Sequence, residues 1–81
     1  MYYTYVLLSK KDSKHYIGYT CDLKKRLKEH LLGRVGSTKN RRPLELIYYE
    51  AYKEKDLAMR QELLYKTGQG RRILNKRLKL I

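Results

Sequence analysis

Four residues in the first 30 positions have side chains suited to handling a phosphate group. Tyr5 and Tyr16 lie on two neighbouring segments with strand character, and Arg26 and His30 lie four residues apart in the segment that follows. Four residues are about one helical turn, so Arg26 and His30 share one side of a predicted helix. A phenol pair beside a guanidinium and an imidazole predicts a phosphate-handling site. The alternative is that the tyrosines fill the core and Arg26 extends its apolar stem along the surface; the residues alone leave both open.

Glu62 is a carboxylate surrounded in sequence by apolar residues. Its segment, AMRQELLYK, predicts a helix in which Glu62 is at least partly buried. A buried carboxylate needs a cation, and the candidates are Arg26, Arg60 or a divalent metal. Pairing with an arginine is the more frequent arrangement in proteins, whereas one carboxylate with waters completing the shell suits Mg²⁺.

A glycine interrupts the predicted strand HYIGYT. Gly18 stands between Ile17 and Tyr19 in a run that otherwise favours a strand. A glycine in a strand interior indicates a bulge or a close approach of another group to the backbone.

The elements that must position these residues follow from periodicity and from helix and turn signals. YYTYVLLS and HYIGYT predict a hairpin joined by the polar turn KKDSK, and LELIYYEAY predicts a third strand. Asp22 favours the start of a first helix that ends before Gly33, with Leu23, Leu27 and Leu31 facing inward and Arg26 and His30 at the edge of that face. KEKDLAMRQELLYKTG predicts a second helix ending at Gly68, and RRILNKRLKLI a third, with apolar positions at 73, 74, 78 and 81. The order β-β-α-β-α-α predicts an α+β fold with a small three-stranded antiparallel sheet flanked by helices, in one domain over residues 1–81.

The distribution of charge predicts a polyanionic partner. The chain has 20 Lys and Arg against 8 Asp and Glu, a net charge of +12. Residues 24–42 and 66–81 form two basic blocks, the second without any acid, while the segment between them is roughly balanced. Two such blocks are typical of a nucleic-acid footprint, and neither pairs its charge with the wide apolar face that a membrane surface requires. The predicted contacts are Lys24, Lys25, Lys28, Arg34, Lys39, Arg41, Arg42, Arg71 and Arg72.

Composition excludes several other classes of protein. The single cysteine, Cys21, rules out an internal disulfide and a cysteine-rich metal site, and we expect it to be buried. No apolar run reaches the length of a signal sequence or membrane span, so we expect a cytoplasmic protein with no membrane partner. Nucleotide-binding glycine motifs and zinc spacings are also missing, so we expect no organic cofactor.

The ordered set of these residues resembles the GIY-YIG nuclease superfamily. YTY at residues 3–5 stands at the first motif, with Tyr3 in place of the glycine, and YIG at 16–18 matches the second. Tyr5 and Tyr16 are eleven residues apart, and Arg26 and His30 follow Gly18 by eight and twelve, as in the family. The segments RRPLELIYYE and AMRQELLYK are also similar to those of compact bacterial members that consist of this domain alone, and the similarity extends over nearly the whole chain.

The resemblance implies a metal-dependent endonuclease that hydrolyses phosphodiester bonds. It places Tyr5, Tyr16, Arg26, His30 and Glu62 at active-site positions, Gly18 at the motif glycine and Asn75 at a loosely aligned auxiliary position. On this reading Glu62 holds Mg²⁺ or Mn²⁺, Arg26 binds phosphate oxygens, and Tyr5 is the preferred general base, aided by Tyr16. The glycine would let the backbone and the substrate approach each other.

The resemblance further implies a DNA substrate selected by shape rather than by sequence, a role in repair or recombination, and a monomer or weak homodimer. Two alternatives stay open at this stage. One is a non-catalytic nucleic-acid-binding module on the same fold, with DNA or RNA as its ligand. The other is a domain whose basic surface meets an acidic protein. The salt dependence of DNA binding in a series of Lys and Arg charge reversals would separate the last case from the others.

Overall fold

The computed structural model describes residues 1–79 and has the predicted element order. Strand β1 spans Tyr2–Ser9, β2 His15–Thr20 and β3 Leu44–Tyr52, while helix α1 spans Leu23–Leu31, α2 Lys55–Tyr65 and α3 Gly68–Leu78. A single 3₁₀ turn, Lys39–Arg41, interrupts the loop between α1 and β3. The strands form one antiparallel sheet in the order β2-β1-β3, so the predicted fold class is confirmed. Of the apolar positions predicted for the third helix, residue 81 lies outside the described range.

The central strand β1 supplies both faces of the sheet, because successive side chains of a strand point to opposite sides. On one face, Val6 packs with Ile17 of β2 and with Tyr65 and Leu74 of α2 and α3. On the other face, Tyr5 and Leu7 pack with Leu44 and with the inward side of α1. The sheet is therefore covered by α1 on one side and by α2 and α3 on the other.

The first helix begins and ends as its sequence predicts. The Asp22 side chain accepts a hydrogen bond from the backbone N–H of Lys25, which satisfies one of the free donors at the helix start. Gly33 follows the last residues of the helix with φ +75°, a left-handed conformation that glycine adopts without steric cost.

The inward face of α1 differs from the prediction in its last turn. Leu23 and Leu27 pack against the sheet, but Leu31 is 48% exposed. His30, predicted at the edge of this face, is instead fully buried. His30 can be buried in place of Leu31 because both of its ring nitrogens have hydrogen-bond partners inside the protein.

The boundary between α2 and α3 also differs from the prediction. The second helix ends at Tyr65, and Gly68 is the first residue of α3 rather than the end of α2. The Thr67 side chain accepts from the backbone N–H of Gly70 and so caps the start of α3. The Thr67 cap therefore determines that α3 begins at Gly68, whereas a glycine alone is compatible with either the end or the start of a helix.

Helix α3 is attached to β3 through one half-buried carboxylate, Glu50. Its oxygens accept hydrogen bonds from the phenols of Tyr48, Tyr52 and Tyr65 and from the guanidinium of Arg77 at 2.7 Å. Burial raises the pKa of Glu50, but these four donors together outweigh burial and hold its pKa below the usual value.

No helix within residues 1–79 is long and apolar enough to cross a membrane.

Candidate active site

A buried hydrogen-bonded chain links β1, α1 and the loop that follows α1. The phenol oxygen of Tyr5 lies 2.8 Å from Nε2 of His30, and Nδ1 of the same ring lies 2.7 Å from Oγ1 of Thr38. All three residues are at most 1% exposed. Both nitrogens of the imidazole are therefore satisfied inside the protein, which fixes the ring orientation and holds Tyr5 in place.

Gly18 makes room for the ring of Tyr5. The two residues are directly paired across β1 and β2, and a Cβ atom on residue 18 would lie 2.5 Å from Cζ and 3.0 Å from Cε1 of Tyr5. Carbon atoms in favourable contact lie about 3.5–4.0 Å apart. The close approach predicted for this glycine is thus found, and the group that approaches is the Tyr5 phenol of the protein itself.

Tyr16 and Arg26 complete the cluster at its exposed edge. The ring of Tyr16 lies edge-on to His30 with centroids 5.2 Å apart, and its centroid is 6.5 Å from that of Tyr5. The Arg26 side chain is 37% exposed and pairs with Glu29 at 3.3 Å. Arg26 thus reaches from solvent to the buried phenol, as a phosphate-binding guanidinium at the edge of a site would.

The protonation states of the cluster follow from burial and from Arg26. Burial raises the pKa of Tyr5 to about 12, although the neighbouring Arg26 opposes the shift. Burial, reinforced by the charge of Arg26, lowers the pKa of His30 below its usual value. At neutral pH the phenol is therefore protonated and the imidazole neutral. A neutral imidazole has one N–H donor and one acceptor nitrogen, so His30 donates to one of its two partners, Tyr5 and Thr38, and accepts from the other.

Glu62 has a different partner from those predicted. Its side chain is 17% exposed, as expected for a partly buried carboxylate, but Oε2 accepts from Nζ of Lys66 at 3.1 Å, not from Arg26 or Arg60. The sequence held the signal, since residues four apart on a helix are neighbours. Glu62 lies near enough to Tyr5 for its charge to affect the phenol.

The surroundings of Glu62 contain no ready-made cluster of metal ligands among the described residues. No group of three or more His, Cys, Asp or Glu side chains comes together among residues 1–79. A site built on one carboxylate excludes the many-ligand cages of zinc, but it fits Mg²⁺, which keeps most of its water ligands.

Asn75 lies in a cavity that Arg26 does not line. This cavity of about 720 Å³ is formed by the hairpin turn and α3, with His15, Arg71 and the Arg41–Asp12 ion pair on its walls. The auxiliary role of Asn75 stays a prediction.

The predicted nucleic-acid contacts are distributed around the protein. All nine except Arg41 are exposed, and Arg41 is half-buried by its ion pair. Those on α1 are Lys24, Lys25 and Lys28; those on the following loop are Arg34, Lys39, Arg41 and Arg42; those on α3 are Arg71 and Arg72.

A second cavity opens beside Arg26, at the ends of β1 and β2. It has a volume of about 530 Å³ and is lined by Tyr2, Tyr19, Thr20, Cys21, Arg26 and Lys55. Cys21 is exposed here, so the prediction that it is buried is wrong. The residue after a short strand and before a helix cap stays in the connecting loop, where no core element covers it.

Sequence reasoning missed Lys55 and Thr38 as site residues. Lys55 is the first residue of α2, where a positive charge opposes the helix dipole. A lysine at this unfavourable position could have indicated a binding role from the sequence alone. The sequence around Thr38 gives no such indication, because Thr38 lies in a polar loop and its role depends on its contact with His30.

Comparison with known proteins gives one consistent set of relatives. A family model described as the GIY-YIG catalytic domain matches residues 1–77. UPF0213 proteins of Streptococcus pyogenes serotypes M5 (strain Manfredo) and M2 (strain MGAS10270) are each 44% identical over 70 residues, which is 85% of this chain and 75% of each relative. The solution NMR structure of a UPF0213 protein from Bacillus halodurans is similar with a TM-score of 0.58 and 34% identity. The match covers 94% of this chain and 84% of that one.

Proposed function

The chain belongs to the GIY-YIG catalytic domain family, and we propose that it is a divalent-metal-dependent endonuclease that hydrolyses phosphodiester bonds in DNA. The observation that carries the proposal is the convergence of Tyr5, Tyr16, Arg26 and His30 on one edge of the sheet. A binding module needs exposed cations, but it does not need a buried phenol–imidazole pair held beside an arginine.

Arg26 is the residue we assign to the phosphate. Burial lowers the pKa of Arg26, but Tyr5 and Glu29 outweigh burial and raise it overall, so the guanidinium keeps its charge at any working pH. A planar donor group that already faces the site can hold two non-bridging oxygens as negative charge grows in the transition state.

Glu62 is the residue we assign to the metal. Mg²⁺ or Mn²⁺, when bound, would act as a Lewis acid on the phosphate and stabilise the departing oxygen. Glu62 must exchange its ion pair with Lys66 for this role. The carboxylate is partly buried and close enough to Tyr5 to affect its phenol, which favours a metal held at one defined place.

The two tyrosines have different environments, and this difference supports different roles for them. Tyr5 is 1% exposed and its hydroxyl is already bound to His30, whereas Tyr16 is half-buried and reaches solvent. A phenol with a pKa of about 12 keeps its proton at neutral pH and is a poor general base. We therefore assign contact with the attacking water to Tyr16. Tyr5 positions the site through His30 and Arg26.

The exposed cations support a nucleic-acid substrate recognised through its backbone. Phosphate contacts fix the position of a strand but read no sequence. Selection would therefore depend on DNA shape, and a branched or flapped substrate would place the protein in repair or recombination.

The test is cleavage of a labelled panel of single-stranded, duplex, flap and branched DNA, with RNA alongside. Each reaction is run with Mg²⁺, Mn²⁺ or EDTA. We expect metal-dependent cutting, reduced about 10²- to 10³-fold in Glu62→Gln and Arg26→Ala, as for loss of a charged group at the reacting phosphate. Glu45→Gln and Arg60→Ala are the matched controls, because both residues are exposed and outside the site.

Three results would contradict the proposal in different ways. Binding without cutting on every substrate would indicate a binding module on this fold. Cutting confined to RNA would show that the substrate is RNA and not DNA as proposed. Cutting that persists in EDTA and in Glu62→Gln would refute the metal assignment.

A further inference from the structure

The cavity beside Arg26 carries two unpartnered phenol rings on one face of the sheet. Tyr19 is paired with Thr4, and Tyr2 lies two residues before Thr4 on the same strand, so both rings are on the same side. Among residues 1–79, neither phenol has a hydrogen-bond partner and neither ring contacts another aromatic ring. Both rings line the cavity and are half-buried.

The spacing of these two positions suits a flat ligand. Diagonal neighbours on adjacent antiparallel strands lie about 7–8 Å apart. A planar ring in contact with a neighbour on each face needs about twice the 3.5–4.0 Å of an aromatic contact, which is the same distance. At this spacing, one nucleobase would fit between the rings of Tyr2 and Tyr19 if both stand upright on the sheet.

Two cations line the same cavity. Arg26 enters it from α1, and Lys55 enters it from the first turn of α2. A lysine in the first turn opposes the helix dipole, so helix stability does not explain its position. Lys55 is exposed and makes no ion pair among the described residues. A phosphate between Arg26 and Lys55 would satisfy both charges.

We propose that this cavity is a subsite for one unpaired nucleotide at the cleavage point, with its base between Tyr2 and Tyr19 and its phosphate, which is the one that is cut, on Arg26 and Lys55. The volume of about 530 Å³ is in the range of small-molecule sites. The inference rests on the proposed nuclease function and narrows its substrate class. A base inside a duplex would first have to leave its stack, at a cost that a flap or single strand does not bear. The preferred DNA therefore has an unpaired nucleotide at the cleavage point.

The experiment measures base stacking independently of turnover. In a Glu62→Gln background with EDTA, flap DNA carries the fluorescent base 2-aminopurine either at the unpaired nucleotide beside the junction or at a paired position. We expect quenching on binding only at the unpaired position. Tyr2→Leu and Tyr19→Leu should each abolish the quenching and weaken binding of the flap about tenfold, within the range for loss of one base–aromatic stack. Tyr19→Phe should restore both, because the ring and not the hydroxyl provides the contact.

Matched control variants show whether a loss of binding is specific to the cavity or follows from removing any surface tyrosine or any surface charge. Tyr49→Leu removes a tyrosine that is 52% exposed and lies outside the cavity, and it should bind as wild type does. Lys55→Gln should weaken flap binding more than Lys53→Gln, which removes an exposed charge two residues away. Thermal unfolding of each variant confirms that it is folded.

Each outcome decides one of the two proposals. Equal binding by the Leu variants and by Tyr49→Leu, with no position-dependent quenching, would overturn the subsite. Quenching of free 2-aminopurine nucleotide but not of the flap would overturn it as well, in favour of a mononucleotide site. Quenching of the flap without any cleavage by the unmodified protein would leave the subsite standing and refute the nuclease.

Discussion

Replacement of Gly18 by alanine is the sharpest test of the site geometry. The added Cβ would lie 2.5 Å from Cζ of Tyr5, about 1 Å inside the nearest favourable carbon contact. The ring is 1% exposed and bound to His30 at 2.8 Å, so it cannot move aside without breaking that bond. Overpacking of a well-filled core costs about 1–3 kcal/mol. For a domain of this size that corresponds to a decrease in Tm of roughly 5–20 °C.

Two other glycines provide matched controls for Gly18→Ala. A Cβ on Gly36 or Gly68 would meet nothing within 4 Å, and neither has a positive φ. Gly36→Ala and Gly68→Ala should therefore leave Tm unchanged or raise it, since alanine restricts the unfolded chain. In a Tyr5→Leu background, the penalty of Gly18→Ala should shrink, because the clashing ring atoms are gone.

The assay is thermal and urea unfolding of the wild type, the four single variants and the Tyr5→Leu/Gly18→Ala double variant, with cleavage measured beside it. A displacement of Tyr5 by about 1 Å should also lower cleavage about 10²-fold if the phenol positions the site. The reasoning is refuted if Gly18→Ala unfolds with the same Tm as Gly36→Ala, or if its penalty is the same with leucine at position 5.

Four further predictions follow from the same contacts. Thr38→Val, which keeps the shape but removes the hydroxyl, should lower the free energy of unfolding by about 1–3 kcal/mol because Nδ1 of His30 loses its partner; Thr38→Ser should retain most of the stability. Because the pKa of His30 is lowered in the folded state, the unfolded chain binds more protons below about pH 6.5, so stability should fall as pH decreases through that value; His30→Gln should flatten this part of the urea-unfolding profile. Lys66→Gln should lower the Mg²⁺ concentration needed for half-maximal cleavage, since Glu62 loses a competing cation; an unchanged or higher requirement would contradict the ion pair. The pKa of Glu50 is lowered in the folded state, so its contribution to stability is lost as pH falls through the folded value, and Glu50→Gln should reduce the acid sensitivity of unfolding.

The sheet could be predicted from the sequence because local patterns decide it. All three strands have the predicted bounds, since β-branched and aromatic runs end at clear turn or helix signals. Asp22 and Gly33 likewise mark the limits of α1 through chemistry that acts within one turn. The start of α3 could not be placed in the same way, because Thr67 and Gly68 suit either the end of one helix or the start of the next.

The partners of the site residues were less predictable than their identities. His30 could be assigned to a helix, but its complete burial depends on Tyr5 and Thr38, which are 25 and 8 residues away in sequence. No local pattern encodes such a contact. Glu62 is the opposite case, since its neighbour Lys66 is one turn further along the same helix and could have been anticipated.

The arrangement of β1 at the centre of the sheet has a consequence for the order of folding. Tyr5, Tyr16, Arg26 and His30 all belong to the hairpin and the helix after it, whose contacts close short loops and therefore form early. Tyr5 pairs with Tyr49 only when the chain returns from more than forty residues away, and α2 with Glu62 follows still later in sequence. A chain emerging from the ribosome would thus expose the residues proposed to bind phosphate before the carboxylate proposed to hold the metal.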